Sequence, residues 1–309
     1  MIKINNISKS FGAFKALDKL SLQVKEGEFY SLLGPNGAGK TTCINIISNI
    51  TKASQGSVEI AGLNTNIHPM EVKKKMGIVP QEIALYEDLS AYENLRFWGK
   101  INGVLASNID QKIEETLAFL NLSDQKHKKI ASYSGGMKRR INIAAALLHE
   151  PEVLFMDEPT VGIDPQSRIF TYEIFEKLHQ QGKTVFYTSH NMEEVERLSD
   201  RIGIIDHGQL IAQGSLEDLK KDVDLQESLH ISFEKNQKIS RQLLESMLGT
   251  EQFTYEDEHL FFNTQNASKD LVKQVQIFDQ HQIRIQNIEV KKVNLEMIFL
   301  QLTGKKLRE

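Results

Sequence analysis

Nine consecutive residues carry the clearest chemistry in the chain: Gly34, Pro35, Asn36, Gly37, Ala38, Gly39, Lys40, Thr41 and Thr42. They fit the spacing of a phosphate loop, a glycine and any four residues before Gly-Lys-Thr. Glycines at 34, 37 and 39 let the backbone take positive φ and turn its N–H groups around a polyphosphate. Lys40 supplies a point charge for the β- and γ-phosphates, and the Thr41 hydroxyl is placed to ligand Mg²⁺. A glycine-rich turn alone is only a turn. Here Phe29-Tyr30-Ser31-Leu32-Leu33 reads as a short buried strand entering the loop. Residues 41–47 read as the helix leaving it, with an N-terminus that attracts an anion. The combination predicts nucleotide binding.

A second group follows the apolar run Val153-Leu154-Phe155-Met156, which delivers Asp157 and Glu158 to a strand end. Open α/β sheets bind ligands at that edge. By itself an acidic pair there is as readily a solvated turn. After a phosphate loop it predicts Asp157 holding Mg²⁺, directly or through water, and Glu158 orienting or deprotonating the attacking water. Ser134, Gly135 and Gly136 form a third group ahead of an apolar helix that runs through Leu148. Ser134 can cap that helix, and the two glycine N–H groups add a second anion-binding helix start. Without context these three are an ordinary N-cap with a glycine pair.

In this order the three groups resemble the ATP-binding cassette (ABC) ATPase family, over about residues 1–219. The resemblance makes Gln81 the centre of the glutamine loop and Ser134-Gly135-Gly136 the signature. Asp164, in Gly162-Ile163-Asp164-Pro165, matches the D-loop, and His190, after Thr188-Ser189, the switch histidine. Phe11 falls where the family puts an adenine-stacking aromatic. The chain departs from the family pattern at Tyr133, which stands for Leu, and at Met137, which stands for a polar Gln and lacks a strong hydrogen-bonding group. Plain structural readings stand beside these: Phe11 as a strand-end core aromatic, Gln81 as loop polarity, His190 as a solvated helix-start residue. Ser189 reads as the cap of a helix over 191–198, which sets His190 beside a helix N-terminus that favours the neutral ring. A neutral imidazole can donate one hydrogen bond to a γ-phosphate.

The resemblance implies an ATPase that uses ATP and Mg²⁺, with Glu158, His190 and Gln81 as catalytic residues and Thr41, Gln81 and Asp157 around the metal. It implies two copies facing head to tail, ATP lying between the phosphate loop of one and the signature of the other. It further implies a separately encoded membrane permease and export of a drug, antibiotic or ion. A non-transport ABC ATPase acting on nucleic acid or the ribosome is the alternative; such proteins usually carry two cassettes or long coiled-coil arms, which this chain does not show. A regulatory module that hydrolyses little is a third reading, against which Glu158 and His190 both count. A guanine-nucleotide switch is disfavoured, since no Asn-Lys-x-Asp motif occurs.

To position these groups the chain needs an α/β fold, a P-loop NTPase core with a helical insertion and a small α+β C-terminal domain. Short apolar strands alternating with helices predict a mostly parallel sheet covered on both faces. Residues 83–150 read as the helical insertion. Ser90 with Glu93 forms a capping box for a helix over 91–102, and Ser107 with Asp110 marks the next start. Residues 1–221 then form the ATPase domain and 222–309 an accessory domain. Its order β-α-β-β-α-β, with a turn at Glu256-Asp257-Glu258, resembles the ferredoxin-like split βαβ. A last helix follows, capped by Asn294 and ended by Gly304.

The 309 residues carry a net charge of -4, and no basic domain predicts a nucleic-acid partner. The basic clusters at 73–75, 128–129 and 138–140 read as solvated faces. The single Cys43 suits a reducing compartment and reads as a buried, inert thiol. No apolar run reaches the ~20 residues of a membrane span. The chain is therefore expected in the cytoplasm, held peripherally at the inner face of the membrane by its permease.

Overall fold

Alternating apolar residues open the chain and build a sheet with one buried face. In the computed structural model β1 (Ile2–Phe11) pairs antiparallel with β2 (Phe14–Val24). Strand β3 (Phe29–Leu33) leaves for a second sheet and feeds helix α1 (Lys40–Ile47) through the phosphate loop. The chain returns with β4 (Gln55–Ile60) and β5 (Leu63–Asn64), completing a four-stranded sheet of order β2-β1-β4-β5. The described residues are 1–223, 225–234, 237, 239–248, 253–256, 258–264 and 267–304. They divide into two compact units, 1–219 and 220–304.

The second sheet collects the apolar runs that do not alternate, as strands buried on both faces must. After α2 (Pro69–Lys75) come β6 (Met76–Val79) and the helices α3 (Ala91–Ile101), α4 (Ile109–Phe119) and α5 (Gly135–Leu147). Then β7 (Val153–Asp157), α6 (Pro165–Gln180), β8 (Thr184–Ser189), α7 (Met192–Leu198) and β9 (Arg201–Asp206) alternate. A hairpin leads to β10 (Gln209–Gly214), and α8 (Leu216–Asp222) spans the boundary between the units. The sheet order is β10-β9-β3-β8-β7-β6, parallel except for β10 at one edge. One core packs the β1-β2-β4 face and α1 against Tyr30, Leu32, Phe155 and Phe186. The other packs α3 to α6 against Phe29, Leu154, Met156 and Tyr187. Helix α1 is thus sandwiched, and Cys43 on it is buried, its thiol pushed up by burial.

The helical insertion keeps its expected first helix, with both halves of the capping box in place: Glu93 N donates to Ser90 Oγ at 3.2 Å and Ser90 N to Glu93 Oε2 at 2.8 Å. Two start signals fall differently. Helix α4 follows Asn108, and Ser107 donates its hydroxyl to the Asn108 side chain instead of capping. Helix α7 is capped by Asn191, whose Oδ1 accepts from Glu193 N, while Ser189 stays in β8. The physical reason is reach, since parallel pairing holds Ser189 extended opposite Leu33. The departures at the signature also find their places. Tyr133 is buried and donates its hydroxyl to the Gln125 carbonyl at 2.7 Å, and Met137 packs on the insertion's core.

The second unit contains β11 (Glu227–Phe233), α9 (Arg241–Leu248), β12 (Phe253–Glu256), β13 (His259–Thr264), α10 (Ala267–Gln280), β14 (Ile285–Lys291) and α11 (Leu295–Thr303). Its sheet order β12-β13-β11-β14, antiparallel throughout, is that of a split βαβ. Leu244, Leu248 and Phe278 pack the two helices against Leu229, Ile231 and Leu260. Of the expected 256–258 turn, Asp257 lies outside the described residues. Asn294 caps α11 through Met297 N at 3.0 Å, and Gly304 ends it in the left-handed conformation.

Phe186 is fully buried, stacked on Tyr30 at 5.8 Å and tilted against Phe155 at 5.9 Å. Phe186→Ala is expected to destabilise the first unit by about 3–5 kcal/mol. Urea unfolding followed by fluorescence of Trp98, the single tryptophan, measures it.

Candidate active site

Four neighbouring parallel strands end at one edge of the central sheet. From β3 comes the phosphate loop, from β8 Ser189 and His190, from β7 Asp157 and Glu158, and from β6 Pro80 and Gln81. Pairing of Leu33 with Ser189, Asp157 with Thr188 and Val79 with Met156 sets their common level. A cleft of about 270 Å³ opens there, lined by Phe14, Ala16, Asn36, Gly37, Gly39, Lys40, Thr41, Thr42, Gln81 and Glu158.

Backbone geometry shapes the loop. Gly39 stands at φ +110° immediately before α1, and a Cβ there would lie 2.6 Å from the Ala16 carbonyl oxygen. Both facts demand glycine. Gly34 N donates to Ser189 O at 3.3 Å, and Gly208 N, in the β9–β10 turn, donates to Ala38 O at 3.0 Å. The loop is therefore held from two neighbouring strands before any ligand arrives. The loop runs directly into the N-terminus of α1, an anion site by geometry and dipole.

Lys40 is 4 % exposed, with three acceptors for its three donors: Gly34 O at 2.7 Å, Pro35 O at 3.0 Å and Glu158 Oε1 at 2.9 Å. Glu158 Oε2 takes His190 Nδ1 at 3.1 Å. A carboxylate only accepts, so Nδ1 carries the proton and a neutral His190 has a lone pair at Nε2. In this arrangement the neutral ring cannot also donate to a phosphate, contrary to the expectation from its helix-start position. Such donation requires Glu158 to let go or the ring to gain a proton. Glu158 sits at φ +43°, a conformation that costs a non-glycine residue about 1–2 kcal/mol. Its amide is held there by Thr188 O at 3.1 Å and Thr188 Oγ1 at 3.2 Å. The same Thr188 hydroxyl donates to Asp157 Oδ1 at 2.6 Å, orienting a carboxylate only 4 % exposed.

The donor set suits Mg²⁺. Thr41, Asp157 and Gln81 offer hydroxyl, carboxylate and amide oxygens, the hard ligands this ion prefers. Among the described residues no three His, Cys, Asp or Glu side chains cluster as a metal cage.

Other predicted residues lie apart from this cleft. Ser134 caps α5 through Met137 N at 3.3 Å, and Ser134 and Gly135 are exposed. Asp164 caps α6 through Ser167 N at 2.9 Å, and hydrogen bonds from Ser167 hold its carboxyl below the usual range. The two helix starts adjoin: a Cβ on Gly136 would run into the Ser167 side chain. None of these residues lines the cleft. Phe11 stands at the tip of the β1–β2 hairpin, 53 % exposed, with Lys9 Nζ 5.0 Å from its ring centre. Its cross-strand partner Phe14 lines the cleft instead.

Sequence reasoning missed Phe14, Thr188 and Arg139. Arg139 is buried on α5 and donates to the carbonyls of Pro80 at 2.7 Å and Gln81 at 2.5 Å. A run of three basic residues after the signature, 138–140, resembles any solvated face, so only burial distinguishes Arg139. Phe14→Ala is expected to weaken nucleotide binding roughly fivefold or more, and Phe11→Ala less. Titration with a fluorescent ATP analogue checks the order.

A family profile described as ABC transporter matches residues 17–161. The linearmycin resistance ATP-binding protein LnrL of Bacillus subtilis (strain 168) is 41% identical over 100% of both chains. The daunorubicin resistance ATP-binding protein DrrA3 of Streptomyces coeruleorubidus is 38% identical over 72% of this chain and 70% of its own. The Nod factor export ATP-binding protein I of Cupriavidus metallidurans (strain ATCC 43123 / DSM 2839 / NBRC 102507 / CH34) is 32% identical over 100% and 99%. Among solved structures, a dimeric post-hydrolysis state of an ATP-binding cassette bound to ADP and Pi superposes with a TM-score of 0.63. It is 28% identical and covers 70% of this chain and 98% of its own.

Proposed function

The chain belongs to the ABC transporter ATP-binding proteins and is an ATPase, and we propose that it works as a homodimer driving export of an antibiotic, drug or ion through a separately encoded membrane permease. One observation carries the reading. The phosphate loop, Gln81 and Glu158 share one cleft, while the exposed Ser134, Gly135 and Asp164, with the buried Gly136 beside them, form a pair of helix starts that do not line it. One copy therefore offers half of each of two sites, and a head-to-tail twin supplies the other half. The resistance and Nod factor export proteins above support the exporter reading.

In this proposal the loop amides and Lys40 bind the β- and γ-phosphates. Thr41, Asp157 and Gln81 would hold Mg²⁺, which would supply positive charge against the phosphates. Glu158 accepts a proton from water as the water oxygen bonds to the γ-phosphorus and the bond to ADP breaks. His190 positions Glu158 and the γ-phosphate end of the cleft, and Phe11 or Phe14 stacks on adenine. The triphosphate joins the two copies, and its hydrolysis releases them, a population shift driven by differential binding. Among the described residues no helix is long and apolar enough to cross a membrane. The permease then provides the membrane part, and the ATPase docks at its cytoplasmic face. Tyr86, half exposed and packed edge-on against Phe97, belongs to an aromatic group suited to that contact.

Glu158→Gln keeps the shape of the base and removes its charge. ATP binding is expected to persist, turnover to fall by roughly a thousandfold, and an ATP-dependent dimer to accumulate. Phosphate release and gel filtration with and without ATP measure both outcomes. Wild-type turnover in this variant would refute the assignment of the base.

A further inference from the structure

Glu194 lies in α7, 2 % exposed, and takes no part in lining the cleft. Its Oε2 accepts from the Thr160 hydroxyl at 2.7 Å and from the Tyr172 hydroxyl at 2.9 Å. Its Oε1 accepts from the Ser189 hydroxyl. Ser189 Oγ in turn accepts the Asn191 amide at 2.8 Å, so the residues on both sides of His190 are tied to this carboxylate. Thr160 lies two residues beyond Glu158, and Tyr172 belongs to the helix that Asp164 caps. Tyr187 OH approaches Thr160 Oγ1 at 3.5 Å and closes the group. Burial and the Glu194 charge push the phenols of Tyr172 and Tyr187 well above their ordinary range, so both stay protonated.

We propose that Glu194 is a positioning residue for ATP hydrolysis, holding the His190 segment and the 158–164 loop in one register from behind the cleft. The chemistry of the acceptors carries this. A carboxylate can receive all three hydroxyl protons at once, so each hydroxyl has one satisfied orientation. An amide of the same shape has one accepting end. With its NH₂ toward Ser189, that hydroxyl faces two donors, the amide and Asn191 N, and loses its own acceptor. With its NH₂ toward Thr160 and Tyr172, both of those hydroxyls must turn round. In either case one of the two catalytic loops loses its side-chain tie, while the phosphate loop keeps its backbone bonds, Gly34 N to Ser189 O and Gly208 N to Ala38 O.

The test is Glu194→Gln in the full chain, with steady-state ATPase kinetics and ATP affinity by calorimetry. The expected kcat falls roughly ten- to a hundredfold, while KM and ATP affinity stay within about twofold. Added to His190→Ala, it is expected to lower kcat by no more than about a further twofold, as residues acting through one another do. A kcat near wild type, an affinity that falls in step with kcat, or fully additive losses with His190→Ala would each overturn the proposal. Should Glu194→Gln fail to fold, Tyr172→Phe removes one donor and keeps the ring. It is expected to give a smaller loss of kcat at unchanged KM, and an unchanged kcat there counts against the proposal.

Discussion

Parallel pairing of β3, β8, β7 and β6 puts four chain segments, far apart in sequence, at one level and one edge. Everything chemical in the protein depends on that backbone ladder. Parallel strands must be joined by crossovers, so each strand end is followed by a loop or helix start free to carry function. The antiparallel sheet β2-β1-β4-β5 and the helices α3 to α6 bury the two faces. They leave the carboxyl edge as the place where polar groups can meet water and ligand.

Charge at that edge is arranged so that no group stands alone. A buried ammonium or carboxylate left unpaired is costly, and removing one partner strands the other. Lys40 is satisfied by two carbonyls and Glu158, and Glu158 by Lys40 and His190. In the proposed cycle a polyphosphate entering the cleft would take over Lys40 and release Glu158 Oε1, while Glu158 Oε2 would still face His190 Nδ1. Behind it, Thr188 and Glu194 hold the acid pair and the histidine segment by hydroxyl hydrogen bonds rather than by opposing charge. Such neutral donors fix position without neutralising the groups that do the work.

Much of this was legible before folding because it is local. The glycine spacing of 34–39, the capping box at Ser90, the Pro165 start of α6 and the Asn294 cap all rest on contacts within a few residues. The split βαβ order of the second unit followed from the alternation of strands and helices. What failed were signals that tertiary pairing overrides. Ser189 has the chemistry of a cap, but its backbone is spent on β3, so Asn191 caps instead. Met137 and Tyr133 look like losses at the signature until packing and the Gln125 carbonyl account for them.

By itself the sequence determined which chemical groups are present and their local conformations. It determined a phosphate-binding turn, an acid pair at a strand end, a second glycine-rich helix start, and the family these belong to. Those depend on residue type and short spacing alone. Only the tertiary structure decided which groups share a cleft. It brought Gln81 and Glu158 to the phosphate loop, left Ser134 and Asp164 on another surface, and chose Phe14 over Phe11 for the cleft wall. It also buried Arg139 and Glu194, two charged residues whose composition marks them as surface. Strand order and register are long-range choices, made by the joint burial of both sheet faces, and no local spacing encodes them.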